Sequence, residues 1–353
     1  MVMEELLKLL ISTPSPSRNE GDTAALLVSH LQKRGISNVE RLHNNVWARS
    51  LHFDDTKPTL LLNSHHDTVK PSPAWTFDPF SPTIEGDRLY GLGSNDAGAS
   101  LVCLIEAFAH FYDKQLPFNL ILALSAEEEV GGVNGLRALL PSLGNVDMAI
   151  VGEPTSLEAA LGERGLVVLD CVAKGESGHA ARNEGVNALY IALDDIQTIR
   201  TFQPEKISPL LGAIKFTATM MECGTQHNVV PAECRWVMDI RTTDAYTNEQ
   251  TVELVQSVVR SKVTPRSTRI RASAIDNSHA LVLAAKELGV RTYVSPTTSD
   301  MSSMDFPSIK IGPGDSARSH TANEYICLSE LRDGAEFYKK YITQLTKHYI
   351  SNN

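Results

Sequence analysis

The chain has 353 residues, a formal net charge of −10 and a pI near 5.6, with 42% hydrophobic and 21% charged residues. That length exceeds one ordinary core and predicts two domains, and the composition excludes a disordered chain. Lys and Arg form no block, and no apolar run reaches the roughly eighteen residues of a membrane span, so neither nucleic acid nor a membrane is an expected partner.

The opening stretch, MVMEELLKLLISTPSPS, lacks the basic region and small-residue cleavage site of a signal peptide and reads as a first helix. Helical spacing covers residues 6–11, and a longer amphipathic helix at 19–34 ends at Gly35. Thr59–His65 is an apolar run ending in polar residues, as in a buried parallel strand whose carboxyl end opens into a site; residues 118–125 and 147–151 repeat the pattern. Helical stretches at 99–112 and 133–140 lie between them, the alternation of an α/β sheet covered on both faces.

From about Gly165 the order becomes strand, helix, strand, strand, helix over 166–173, 187–200, 215–221, 233–241 and 248–261. This predicts a smaller inserted domain with a one-sided antiparallel sheet. A helix around 281–286, a strand at 308–311 and a last helix at 329–348 return to the first domain, dividing the chain into 1–164 with 272–353, and 165–271. Cys103, Cys171, Cys223, Cys234 and Cys327 are odd in number without a C-x-x-C pair, and read as reduced core residues of a cytoplasmic protein.

Ligand-type residues collect after the strands, where open α/β sheets bind their ligands. In Ser64-His65-His66-Asp67, period-two alternation puts His65 and Asp67 on one face. Asp67 is thus placed to accept the spare imidazole N–H while His65 binds a metal, and His66 points away; a core histidine with a satisfied neighbour is the other reading. Gly91-Leu92-Gly93-Ser94-Asn95-Asp96-Ala97-Gly98 presents Asp96 just before a helix, as a carboxylate bridging two cations or as a helix cap. Glu127-Glu128-Glu129 are three adjacent carboxylates at a strand end, which repel one another unless cations or protons compensate them. Glu153 follows the next strand, and His320 follows Gly312-Pro313-Gly314, with Asn323-Glu324-Tyr325 beyond it. Histidines and carboxylates in this combination suit a pair of zinc ions sharing one carboxylate. No G-x-S-x-G elbow occurs, which removes a serine hydrolase.

In their order along the chain these five motifs resemble those of the M20 metallopeptidases, a family that includes acetylornithine deacetylase, succinyl-diaminopimelate desuccinylase, aminoacylase and glutamate carboxypeptidases. The resemblance covers nearly the whole chain. It implies an α/β, zinc-exopeptidase-like catalytic domain with a mixed, mostly parallel sheet, and an inserted ferredoxin-like α+β domain serving as lid and dimerisation surface of a homodimer. It implies two Zn2+ ions, replaceable by Co2+, with His65 and Glu153 on one, Glu129 and His320 on the other, and Asp96 bridging both. Asp67 would orient His65, and Glu128 corresponds to the general base. His179, in Gly175-Glu176-Ser177-Gly178-His179-Ala180, resembles the lid histidine that stabilises the oxyanion, from the partner subunit in dimeric members. Asn228 and Arg241 resemble lid positions that touch substrate, although Arg241 reads equally as a strand-end salt-bridge residue. One departure stands out: the family often carries a Lys after the bridging Asp, where this chain has Asp96-Ala97-Gly98-Ala99, so a charge near the site is missing.

Within the family the short chain looks most like the acetylornithine deacetylase branch. That implies hydrolysis of a small N-acyl amino acid, with N-acetylornithine in arginine biosynthesis first. N-acetylcitrulline and the N-succinyl derivatives of ornithine, citrulline or diaminopimelate are alternatives, followed by a dipeptidase or carboxypeptidase and a non-catalytic relative. Arg182 and Arg318 are candidates to pair with the extra carboxylate of a succinyl group, or are surface arginines.

Overall fold

The computed structural model describes residues 2–182 and 184–350. The chain divides into two units: the first takes in residues up to Gly162, Ile275–Val294 and the chain from Ser299 onward, and the second takes in Glu163–Ala274 with Ser295–Thr298.

The first unit is built on a mixed sheet. Thr59–His65, buried along its whole length, runs parallel to Asn119–Ser125 on one side and Met148–Val151 on the other, with His65 opposite Ser125 and Asn63 opposite Val151. Ser308–Lys310 adds a further parallel strand beside Met148–Val151. Antiparallel strands flank this centre: the hairpin of Val39–Leu42 and Asn45–Arg49 lies against Asn119–Ser125, and Ala159–Glu163 against Ser308–Lys310.

Burial on both faces explains why the central strands read as unbroken apolar runs. Leu61, Ile121, Ala123 and Ala149 pack with Leu136, Leu139 and Leu143 of the helix Leu136–Leu143. The helix Ala99–Phe111 packs on Thr59–His65 and against the long helix Leu328–Ile350. Each fully buried Leu contributes about 1.5–3 kcal/mol. Because the central strands share one direction, their carboxyl ends deliver His65, the 127–129 turn and Glu153 to one end of the sheet.

The second unit has a four-stranded antiparallel sheet in the order Lys215–Cys223, Glu233–Thr242, Gly165–Lys174, Lys262–Pro265. Gly165–Lys174 alternates strictly: Val167, Leu169, Cys171 and Ala173 are buried in one core with Trp236, Met238 and Ile240. Helices Ala188–Thr201 and Asn248–Val258 supply the rest of that core through Ala188, Ala192, Ile199 and Val255. The spacing predicts this second helix over 248–261 with no strand after it. The helix stops at Val258, and the Asp195 carboxylate accepts the amides of Arg260 and Ser261 at 2.9 and 2.8 Å. All five cysteines are free, with Cys103, Cys171 and Cys234 buried, and no described helix is long and apolar enough to cross a membrane.

Trp236 fills the middle of the second core, its indole N–H donating to Ser261 Oγ at 3.2 Å. Trp236→Ala is expected to cost about 3–5 kcal/mol, read as a lowered urea midpoint at unchanged slope; a loss below about 1 kcal/mol contradicts this packing.

Candidate metal centre

His65 ends its strand as a buried residue with Nδ1 3.0 Å from the Asp67 carbonyl oxygen and 3.5 Å from the Asp67 carboxylate. Both the carbonyl and the carboxylate of Asp67 thus face Nδ1, and the carboxylate helps to hold the imidazolium. That leaves Nε2 facing Asp96 Oδ1 at 3.3 Å, Glu153 at 3.8 Å and Glu128 at 3.9 Å. The Asp67 carboxylate accepts Ser17 Oγ at 2.7 Å and the backbone amides of Glu128 and Glu129 at 3.0 and 3.2 Å, so it shapes the acidic turn directly. His66 points away, with its ring nitrogens 2.9 Å from Thr23 Oγ1 and from the Asn44 carbonyl; burial pushes its pKa down to about 4.

The three glutamates separate at a backbone reversal. Glu127 adopts the left-handed conformation, and a short 3-10 turn, Glu128–Val130, follows. The Glu127 carboxylate turns to Asn134, accepting its side-chain and backbone N–H groups at 3.0 and 3.3 Å. Glu128 and Glu129 face the cluster. Glu129 lies 2.9 Å from His320 Nε2, which is 3.6 Å from Asp96 Oδ2. Asp96 thus presents one oxygen to His65 and the other to His320. His65, Asp96 and Glu129 offer ligand atoms that all lie within 4.8 Å of one another. The helix-cap reading of Asp96 fails: its φ and ψ are −116° and 98°, and its side chain makes no capping bond at the helix Ala99–Phe111.

Charge explains what the cluster asks for. Burial opposes the imidazolium of His65, yet Asp67, Asp96, Glu128 and Glu153 around it push its pKa well above the ordinary value. Burial and neighbouring carboxylates push Glu128 well above the usual carboxylate range and Glu153 to about 8. The hydrogen bond it donates to the Glu129 carboxylate lifts His320 to about 9. Imidazole nitrogens and carboxylate oxygens converging in this way make a donor set that fits zinc.

Two more buried acids, Asp300 and Glu324, lie at this end of the sheet. Asp300 accepts Ser125 Oγ at 2.5 Å, and Ser125 in turn accepts Asn63 Nδ2 at 3.0 Å; burial raises Asp300 to about 6. Glu324 accepts backbone amides of the Asp96 loop, while burial and Asp96 raise it to about 8. The only signal for Glu324 was its place four residues after His320; no periodicity or motif marked Asp300.

Residues 61–344 match the model of peptidase family M20/M25/M40. The chain belongs to the M20 family. It is 28% identical to a peptidase M20 domain-containing protein of Schizosaccharomyces pombe, over 96% of this chain and 83% of the relative. It is 25% identical to a succinyl-diaminopimelate desuccinylase of Delftia acidovorans, over 97% and 98% of the two chains. Its fold matches a dinuclear metal-binding M20 peptidase of Bacillus subtilis with a TM-score of 0.73 at 14% identity, covering 97% of each chain.

The remaining candidates of this M20 chain fall into two groups. In the second unit, Gly178–His179 pairs antiparallel with Val229–Val230, and the Ala180 amide donates to the Asn228 carbonyl at 3.1 Å, so His179, Arg182 and Asn228 gather on one exposed ladder. Arg241 is paired with Asp239 at 2.9 and 3.2 Å. In the first unit Arg318 donates through Nη1 and Nη2 to the Glu330 carboxylate, at 2.6 and 3.0 Å, and stacks 4.5 Å over Tyr325.

The raised values fix how the metal-free protein responds to pH. Glu153 and Glu324 stand near 8 against an ordinary 4.5, and His320 near 9 against 6.5, so each binds its proton more tightly when folded. That stabilisation is complete below the ordinary values and is lost as the pH rises through about 8 to 9. The melting temperature of chelated protein should fall from about pH 6 to 9, and zinc should flatten the decline; a flat or rising profile without metal contradicts this electrostatic picture.

Proposed function

We propose that this protein is a dimetal amidohydrolase that releases a small amino acid from its N-acyl derivative, N-acetylornithine being the first candidate substrate. The observation that carries the reading is Asp96 set between His65 and His320, with Glu128 beside the same imidazole. His65 and Glu153 would hold one cation, Glu129 and His320 the other, and Asp96 both. Two such cations, zinc or cobalt, polarise a bound carbonyl and bring the pKa of water towards about 7.

Glu128 then takes the proton of the attacking water and returns it to the leaving amine. Its burial, which disfavours the charged form, suits a base that must hold the proton between the two steps. Asp67 keeps the Glu128 and Glu129 amides in place throughout. From the second unit, His179 would stabilise the oxyanion while Asn228, Arg241 and Arg182 meet the substrate, with dimerisation through that unit. The free cysteines support a cytoplasmic setting.

A second reading, an N-succinyl substrate, is supported by relatives named succinyl-diaminopimelate desuccinylase that align along nearly the whole chain. In that reading Arg318 is already engaged by Glu330, and the exposed Arg182 is the candidate to meet the succinyl carboxylate.

Rates on N-acetylornithine, N-acetylcitrulline, N-succinylornithine, N-succinylcitrulline and N-succinyl-diaminopimelate decide between the two. Acetyl compounds are expected to lead, and a succinyl compound hydrolysed faster would replace the first reading by the second. Glu128→Ala should lower kcat by about 100- to 10,000-fold while metal content stays at the parent value. Loss of metal in that variant would make Glu128 a ligand instead of the base.

A further inference from the structure

Glu324, 1% exposed, lies four residues beyond His320 and turns its carboxylate onto the loop that carries Asp96. Oε2 accepts the Gly93 amide at 3.1 Å, and Oε1 accepts the amides of Asn95 and Asp96, each at 2.8 Å. The Glu324 carbonyl accepts the Gly91 amide at 3.0 Å. Asn95 completes the tie by exchanging two hydrogen bonds with the Asp315 backbone, at 3.0 and 3.1 Å, ahead of His320 in the chain.

These bonds matter because the Asp96 backbone is irregular. Outside a helix or ladder its amide has no regular partner, and a buried amide left unpaired is costly. Glu324 supplies that partner from the same segment that carries His320. His65 and Glu153, by contrast, sit at or just beyond ends of adjacent parallel strands whose pairing does not involve Glu324.

We infer that Glu324 is a positioning residue: by holding the amides of the Asp96 loop it fixes the Asp96 carboxylate between His65 and His320 and sets the affinity for the cation on the Glu129 and His320 side. This rests on the two-cation reading above. Loss of Glu324 loosens Asp96 and the His320 segment together and leaves the strand-borne ligands in place, so its effect is unequal between the two cations. A role confined to packing would weaken both alike.

The test is a calorimetric zinc titration of the chelator-stripped full chain and of Glu324→Gln, which preserves volume and replaces one acceptor oxygen by an amino group. The parent should bind two equivalents. In Glu324→Gln the first should stay within about 3-fold of the parent while the second weakens by about 10- to 100-fold, the usual scale for partners that orient a ligand. Glu324→Asp, which keeps both acceptor oxygens on a shorter stem, should recover part of the second affinity. Two equivalents bound as in the parent, or both weakened alike, overturn the inference. If Glu324→Gln lacks a native near-ultraviolet circular dichroism spectrum, Glu324→Asp decides by the same ratio: weakening of the second equivalent alone upholds the inference, and a uniform or absent effect overturns it. A parent chain that binds fewer than two equivalents refutes the two-cation reading itself, and the inference falls with it.

Discussion

The arrangement depends on the mutual repulsion of carboxylates gathered at the carboxyl ends of parallel strands. Asp96, Glu128, Glu129 and Glu153 converge on two imidazoles, and burial removes the water that would otherwise screen them. The position after Asp96 is a buried Ala97, which brings no compensating charge. Protons relieve the repulsion in the metal-free chain, which is why burial and neighbouring acids lift Glu128 and Glu153 out of the ordinary carboxylate range. Divalent cations held by these residues would relieve it as well, and would supply the Lewis acid that hydrolysis needs.

Such a cluster stays in place only if something else holds it. Thr59–His65 and Met148–Val151 are locked by ladders on both sides, so the ligands that follow them inherit a rigid frame. Glu128, Glu129 and Asp96 lie on irregular backbone, and there the frame is a set of buried acids acting as acceptors: Asp67 for the 128–129 amides, Glu324 for the Asp96 loop. Glu20 does the same for the amide of Glu127, at 3.2 Å. Acidic side chains thus have two uses at this end of the sheet, facing the imidazoles and holding backbone amides, and Asp67 does both.

This division explains what was legible in the sequence. Unbroken apolar runs identified the central strands to within a residue, because burial on both faces leaves no other pattern, and strict alternation identified Gly165–Lys174 and Glu233–Thr242. His65, Asp96, Glu129, Glu153 and His320 were legible because ligand types follow strand ends in a recognisable order. Period two correctly sent His66 away from the site and put the Asp67 carboxylate on the His65 side, where the Asp67 carbonyl also faces Nδ1. No pattern marked Asp300, and the Asn323-Glu324-Tyr325 stretch gave no sign of what Glu324 holds, because their partners, Ser125 and the 93–96 backbone, are distant in sequence. Nor did sequence show that Arg318 is bound to Glu330.

The central claim is that one carboxylate, Asp96, stands between two cations. Anomalous diffraction at the zinc absorption edge from crystals of the zinc-loaded protein tests it most directly. The account predicts two peaks, one between His65 and Asp96 and one between Asp96 and His320. A single peak, or two that do not share Asp96, would contradict it.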